Sequence, residues 1–380
     1  MTPASAPLLS LCMIVKNEAA VLARCLASVR GLAEEVIVVD TGSTDGTVEL
    51  AQAQGATVCR MEWQDDFALA RNRALEQAHG RWILVLDADE YLLDTDRNLL
   101  SELLATATPD QGFELLMKTL DGENRVADCV PLIRVFPNRP EIRFEGPIHE
   151  VVGPSLARAG CRAVATSISI MHTGYADPET LRRKEIRNKN LLLGYLARHD
   201  GKMPGELWYH LGCCHRIAQE FTPALECFEK TRQDALVRQD GRLRQAAELS
   251  LAQILISQRR FAEAAALLPG AEPPRLGSPL PDWHPAIFGL KAALASEKGD
   301  FDQARGWAEA ILCSEEKPWL PPVSWPGMKA EALRFLANYW HRRKELEVAV
   351  PLLRHAVRLS REKGSFTAAQ LRECYASRLN

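Results

Sequence analysis

At 380 residues, 47% hydrophobic and 25% charged, the chain has a soluble globular composition and is long enough for two domains. Its formal net charge of -3 gives no support to a general nucleic-acid or membrane-surface binder. Ten cysteines are present, no two of them separated by two residues, which excludes the zinc-ribbon and thioredoxin spacings.

The opening stretch MTPASAPLLSLCMIVKNE has no basic n-region, and its apolar run is too short for a signal peptide or a spanning helix. A cytoplasmic location with reduced thiols is therefore expected. Residues 8–90 alternate short β-rich runs with helix-like segments. LLSLCMIV, EVIVVD, ATVCRM and WILVLD read as strands, with helices over 18–30, 45–54 and 66–79 between them. That rhythm predicts βαβ units and an α/β domain with a doubly wound, mostly parallel sheet covered on both faces. Such a sheet binds ligands beyond the carboxyl ends of its strands, and Asp40 and Asp87 both fall at such ends. Further strands, GFELLMK, VPLIRVF and AVATSISIM, carry the domain to about residue 175.

Beyond residue 178 the strand pattern stops and helical spacing begins with PETLRRKEIRNKNLLLGYLARH. Next, WYHLGCCH matches the tetratricopeptide pattern W-x2-L-G-x2-Y except that His215 stands at the Tyr position, and Ala224 and Phe228 supply the following A-x3-F. Three weaker copies align beneath it through small-residue pairs: Gly212 with Ala224, Ala252 with Ala264, Ala292 with Ala304, and Ala337 with Ala349. The distance within each pair is constant while that between pairs varies, as helix hairpins joined by unequal loops should show. The surplus over a 34-residue repeat lies partly in Pro-rich stretches such as PGAEPPRLGSPLPDW and KPWLPPVSWPG. The expected organisation is an α/β domain over 1–178, a connecting helix over 179–204 and all-α tetratricopeptide-like repeats over 205–380. An irregular helical domain without superhelical stacking is the alternative for the last part.

The chemistry concentrates in two acidic loops, DTGSTDGT at 40–47 and DADEY at 87–91. An aspartate at the end of a buried strand costs desolvation energy unless a donor or a metal compensates it. Asp45 is expected to cap the helix that follows or to hold the turn, because Gly42 and Gly46 permit unusual backbone angles there. Asp40 precedes the turn, and its carboxylate could accept hydrogen bonds from a nucleobase N–H. Asp87 and Asp89, spaced i, i+2, leave the strand end on the same side and could hold one hard cation, Mg2+ or Mn2+, together with diphosphate oxygens. Neither G-x-G-x-x-G nor G-x-x-x-x-G-K-[ST] follows any expected strand, so phosphates would have to be held by a metal and by cations such as Lys16 and Arg71. The plain alternative for both cations is a solvated surface charge.

SLCMIVKNEA, EVIVVDTGSTDGT, DFALARNRALEQAHGRWILVLDADEYL and RFEGPIHEVV, followed by HTGY, together resemble the family 2 glycosyltransferases of the GT-A fold. More narrowly they resemble the bacterial branch fused to tetratricopeptide repeats, with sublancin-type peptide S-glycosyltransferases and lipopolysaccharide-core glucosyltransferases similar over the catalytic part. The resemblance implies a nucleotide-sugar donor, in the first instance a UDP-sugar. Asp40 would then bind the base, Asp87 the ribose or a metal-bound water, and Asp89 the cation. Arg71 would lie near the diphosphate or donor sugar, with Lys16 and Glu18 on the donor side. His172 matches a position that returns a ligand to the metal or pyrophosphate, although a structural strand-end role is equally natural for it. An inverting transferase also needs a base for the acceptor proton, and here it would be Glu150 or His149 in GPIHEVV. A thiol acceptor would lower that demand.

The implied acceptor is a peptide, glycan or lipid-linked molecule. The repeats would grip it or a protein partner, or mediate self-association, with no nucleic acid and no transmembrane segment involved. Two other classes compete. In one, the repeats are an interaction scaffold beside a degenerate catalytic domain; retention of Asp40, Asp87, Asp89 and His172 argues against it. In the other, the chain is a nucleotidyltransferase, which would carry a Gly-rich phosphate loop after its first strand, whereas MIVKNEAAVLARC has no glycine.

Overall fold

The structure is a computed structural model that describes residues 8–120, 124, 126–173, 178–234, 237–238, 241–276, 278–281, 283–314, 325–361 and 368–376. Gly174 and Tyr175 of HTGY, and Gly277, Asp282 and 317–324 of the Pro-rich stretches, lie outside the described residues. The chain divides into two compact units, Met1–Lys202 and Met203–Asn380.

The first unit is built on an eight-stranded sheet of order β3-β2-β1-β4-β7-β6-β8-β5. Its strands are β1 (Leu9–Val15), β2 (Glu35–Asp40), β3 (Thr57–Arg60), β4 (Trp82–Val85), β5 (Glu90–Leu92), β6 (Gln111–Leu120), β7 (Val126–Pro137) and β8 (Arg162–His172). The β1–β4 half is parallel throughout, because helices α1 (Ala19–Ser28), α2 (Thr47–Ala53) and α3 (Phe67–Leu75) return the chain between its strands. In the other half β6 and β8 are parallel as well, so four of the seven strand pairings are parallel, as expected. β7 runs antiparallel to both β4 and β6, and β5 antiparallel to β8, so the sheet is mixed. β5, α4 (Asp94–Thr106) and α5 (Gly153–Arg158) were not foreseen.

Alternation along the parallel strands explains why both faces are covered. Leu9, Leu11, Met13, Val15, Val38 and Leu84 pack with Leu22 and Leu26 of α1 and Leu100 and Leu104 of α4. Their neighbours Cys12, Ile37, Val39, Ile83 and Val85 point the other way, onto Ala68, Ala74 and Leu75 of α3. Where the chain enters β4, the Gly80 N–H donates to Ser10 Oγ (2.8 Å) on β1. A Cβ on Gly80 would sit 2.7 Å from the Ser10 backbone nitrogen. Gly80→Ala is therefore expected to cost about 2–3 kcal/mol through backbone displacement in a packed core. Thermal unfolding should show a fall of roughly 5 °C or more, and an unchanged melting temperature would mean that β1 and β4 tolerate the separation.

Helix α6 (Pro178–Arg198) completes the first unit. In the second, α7 (Gly205–Ile217) pairs with α8 (Phe221–Gln233), α9 (Gly241–Ser257) with α10 (Phe261–Leu267), α11 (Pro285–Glu297) with α12 (Phe301–Cys313), and α13 (Trp325–Arg342) with α14 (Leu346–Arg361). α8 also packs on α9 and α12 on α13, so consecutive pairs stack, and α15 (Ala368–Cys374) lies against α14 and α12. The small-residue pairs mark the hairpin contacts: Ala224, Ala252, Ala264 and Ala304 are fully buried, Ala337 and Ala349 nearly so, and Ala292 partly. Gly212 is needed because a Cβ there would come within 2.8 Å of the Phe228 ring.

Candidate active site

Two loops at the carboxyl ends of β1 and β2 are laced together by side-chain caps. The Asn17 N–H donates to Ser43 Oγ (2.9 Å) and Asn17 Oδ1 accepts from the Thr44 N–H (2.8 Å). The Glu18 N–H donates to Thr47 Oγ1 (2.8 Å), and Asp45 accepts from the Thr47 and Ala19 N–H groups (both 3.1 Å). Asp45 thus holds the turn, as expected, and also serves the start of α1. Asp40 also serves this turn. Its carboxylate, 3% exposed, accepts from the Gly42 N–H (3.2 Å) and the Ser43 N–H (3.1 Å). A buried charge needs donors, and the turn at Gly42 (φ 106°) supplies two.

Asp87, just beyond β4, sits in the middle of an alternating chain of charges. Arg71 of α3 donates through Nη2 to Asp87 Oδ1 (2.7 Å) and through Nε to Glu150 Oε1 (2.5 Å). Arg134 of β7 reaches Asp87 Oδ2 (3.4 Å) and Glu90 Oε1 (2.6 Å), and Glu90 Oε2 accepts the Asp87 N–H (2.8 Å). The order Glu150, Arg71, Asp87, Arg134, Glu90 places every cation between two carboxylates. Burial alone would raise the Asp87 carboxyl, but Arg71 and then Arg134 outweigh it and hold the group well below the usual carboxylate range. Glu90 goes the other way, pushed up to about 7 by burial in spite of Arg134. Arg71 is itself 8% exposed, which rules out the plain surface-charge reading, and its Nη1 is buried without a hydrogen-bond partner among the described residues. A buried orphan donor on a guanidinium is costly unless a ligand oxygen meets it.

Glu150 reaches this chain because its loop is tied to α3. Asn72 of α3 exchanges two hydrogen bonds with the Phe144 backbone (2.8 and 3.0 Å), and the Phe67 N–H donates to the Pro147 carbonyl (3.0 Å). Glu145 and Val151 close the loop through paired backbone bonds, with Gly146 (φ 98°) and His149 (φ 49°) making the tight turn between them. Burial lowers the His149 imidazole below its ordinary pKa, so it is neutral at pH 7.

Asp89 lies one step further along. Its carboxylate is 3.2 Å from His172 Nε2 at the end of β8, with side-chain exposures of 23% and 21%. The hydrogen bond to Asp89 raises the His172 pKa. Burial and then the Asp89 charge raise that of Glu18, which is half-buried at the start of α1. Lys16 is exposed on the β1 loop. Among the described residues no group of three or more His, Cys, Asp or Glu side chains is arranged to hold a metal. One carboxylate oxygen and one imidazole nitrogen at an accessible rim still fit a cation whose other ligands are diphosphate and water oxygens. Sequence reasoning missed Arg134 as a site residue. The available clue was a lone arginine inside the apolar run VPLIRVF, where burial demands a charged partner.

Residues 10–110 match the family described as glycosyl transferase family 2. They are a family 2 glycosyltransferase domain. The match falls within the α/β unit and its mixed eight-stranded sheet. Among curated relatives, the chain is 50% identical over 151 residues to a TPR repeat-containing protein of Synechococcus elongatus, covering 39% of this chain and 36% of that one. It is 26% identical over 188 residues to the SPbeta prophage-derived glycosyltransferase SunS of Bacillus subtilis, covering 49% and 44%. The chain therefore spans less than half the length of either relative. Of solved structures, a mannosyltransferase from Pyrobaculum calidifontis in complex with GDP-Man and Mn2+ aligns over 80% of this chain and 87% of that one, at 19% identity and a TM-score of 0.41. Among the described residues no helix of the protein is long and apolar enough to cross a membrane.

Proposed function

We propose that the glycosyltransferase domain moves a sugar from a nucleotide-sugar donor, in the first instance a UDP-sugar, to a peptide, glycan or lipid-linked acceptor. The transfer would proceed with inversion, with Mg2+ or Mn2+ bound and in the cytoplasm. The observation that carries this reading is the charge chain at the carboxyl end of the parallel strands, in which half-buried Asp87 stands between two buried arginines, with the orphan Nη1 of Arg71 beside it. A diphosphate or sugar oxygen is the natural partner of that N–H, and it lies where a sheet of this kind receives ligands.

In this reading the lone pairs left on Asp40 accept the nucleobase N–H, Asp87 orients the ribose or a metal-bound water, and Asp89 and His172 hold the cation. Lys16 and Glu18 border the donor from the β1 loop. When bound, the cation supplies Lewis-acid stabilisation to charge growing on the leaving nucleoside diphosphate. Glu150 accepts the acceptor proton on Oε2, since Oε1 is held by Arg71. Neutral His149 is the alternative base. The helical repeats offer an extended surface for the acceptor or for a partner.

The test is calorimetric titration of UDP into the protein with Mn2+ and with EDTA, repeated on Asp89→Ala. Binding is expected to require the metal and to weaken by roughly 10- to 100-fold in the variant, the range typical when a metal site is damaged. Absence of UDP, GDP and dTDP binding under every metal condition would overturn the donor reading.

A further inference from the structure

Helix α14 is apolar on two sides. Val348, Ala349, Leu352, Ala356 and Leu359 are buried against the rest of the second unit. On another side Leu346 (54% exposed), Val350 (43%), Leu353 (50%) and Val357 (45%) form one uncovered stripe. Helical spacing puts these four in a row, since steps of four, three and four residues return to the same face. In earlier hairpins the matching surface is covered. Leu353 follows Ala349 by four positions, as Phe228 follows Ala224 and Ala308 follows Ala304, and both Phe228 and Ala308 are buried in clusters shared with the next helix, α9 or α13. The stripe is thus an apolar face of α14 that stays exposed although α13 and α15 both pack on this helix. Repeat arrays normally present a polar face to solvent.

We propose that this face is covered by the same face of a second copy of the chain, packed antiparallel about a two-fold axis at the midpoint of the stripe. Two features of the helix select that occupant. The four-three-four spacing reads the same in both directions, so an antiparallel pair sets Leu346 beside Val357 and Val350 beside Leu353 of the second copy, and an isologous contact requires such self-complementarity. The exposed charges flanking the stripe are also asymmetric along the helix: Glu347 near its start, Arg354 and Arg358 near its end. All three lie on the same flank of the stripe by helical spacing. When two helices pair antiparallel, like flanks meet, so Glu347 of each copy comes beside Arg354 and Arg358 of the other. A parallel pair would instead face these charges with the opposite flank, which holds the buried Ala349 and Ala356. Antiparallel helix dipoles favour the same arrangement.

Sedimentation of the full chain over a concentration series from roughly 1 to 100 µM, the range of weak to moderate association, tests the pairing. The expected result is a concentration-dependent rise toward twice the mass of the chain. Leu353→Glu, at an exposed position, should leave thermal unfolding unchanged and shift half-dimerisation upward by about 100-fold or more, as expected for a charge buried at an interface centre. Glu347→Arg should weaken pairing by about three- to tenfold, and the triple exchange Glu347→Arg, Arg354→Glu, Arg358→Glu should restore it. A monomer throughout the range, meaning that something other than a second copy covers the stripe, would overturn the proposal, as would a dimer indifferent to Leu353→Glu. A triple exchange that fails to restore pairing would overturn the antiparallel geometry.

Discussion

Glu150→Gln is expected to lower the turnover number of sugar transfer to a hydroxyl acceptor by about a thousandfold, within the range of 10²–10⁴ typical for loss of a general base. The amide keeps an oxygen for the Arg71 Nε, so the loop and the donor pocket should persist. The measurement that separates chemistry from structure is therefore the pair of UDP affinity and kcat. UDP affinity should stay within about threefold while kcat falls, the pattern of a lost transition-state interaction. The parallel variant His149→Gln should cost less than about tenfold if the imidazole only supports the turn. The reverse ranking would assign the base to His149 and leave Glu150 as the group that orients Arg71. Acceptor chemistry enters the same experiment, because a thiol ionises near neutral pH and needs little help. With a cysteine-containing peptide acceptor, the penalty of Glu150→Gln should shrink by an order of magnitude or more.

What the sequence disclosed about this site, and what it concealed, follows from how local each constraint is. β2 and its acidic loop were readable because EVIVVD, two glycines and capping hydroxyls lie within a dozen residues, and each residue type has a steric or hydrogen-bonding reason to be there. The repeat pairs were readable for a similar reason: the small residues that let two helices approach recur at a fixed distance. The mixed character of the sheet was hidden, because β7 returns antiparallel to β4 through pairing between residues some fifty positions apart, such as Ile83 and Phe136. The link from Arg134 to Glu90 and Asp87 was hidden likewise, since nothing in VPLIRVF says which acid its arginine meets. Asp40 shows a third case. Its position at a strand end was plain, but whether a carboxylate serves the turn, a ligand or both depends on where the next two N–H groups point.

Arg71→Ala is expected to destabilise the first unit by about 3–5 kcal/mol, the usual cost of removing one partner from a buried ion pair. The loss is large because the guanidinium answers two carboxylates at once. Without it, Glu150, with 10% side-chain exposure, has lost its Nε contact, and Asp87 retains only Arg134 at 3.4 Å. Thermal unfolding should fall by roughly 10 °C or more, and a drop under about 2 °C would show that solvent or neighbouring groups take over the two carboxylates. Arg71→Lys should recover little, since one ammonium on a flexible stem cannot reproduce the two directed contacts and the inward Nη1 of a planar fork. Adding Glu150→Gln to Arg71→Met removes one of the two stranded charges and should return roughly half of the lost stability, the coupling expected of groups in direct contact. That rescue should not return UDP affinity, because Nη1 is still missing. Stability restored without donor binding would separate the two tasks of this arginine, which neutralises the acids that position the loop and offers the one buried donor of its guanidinium that the protein leaves open.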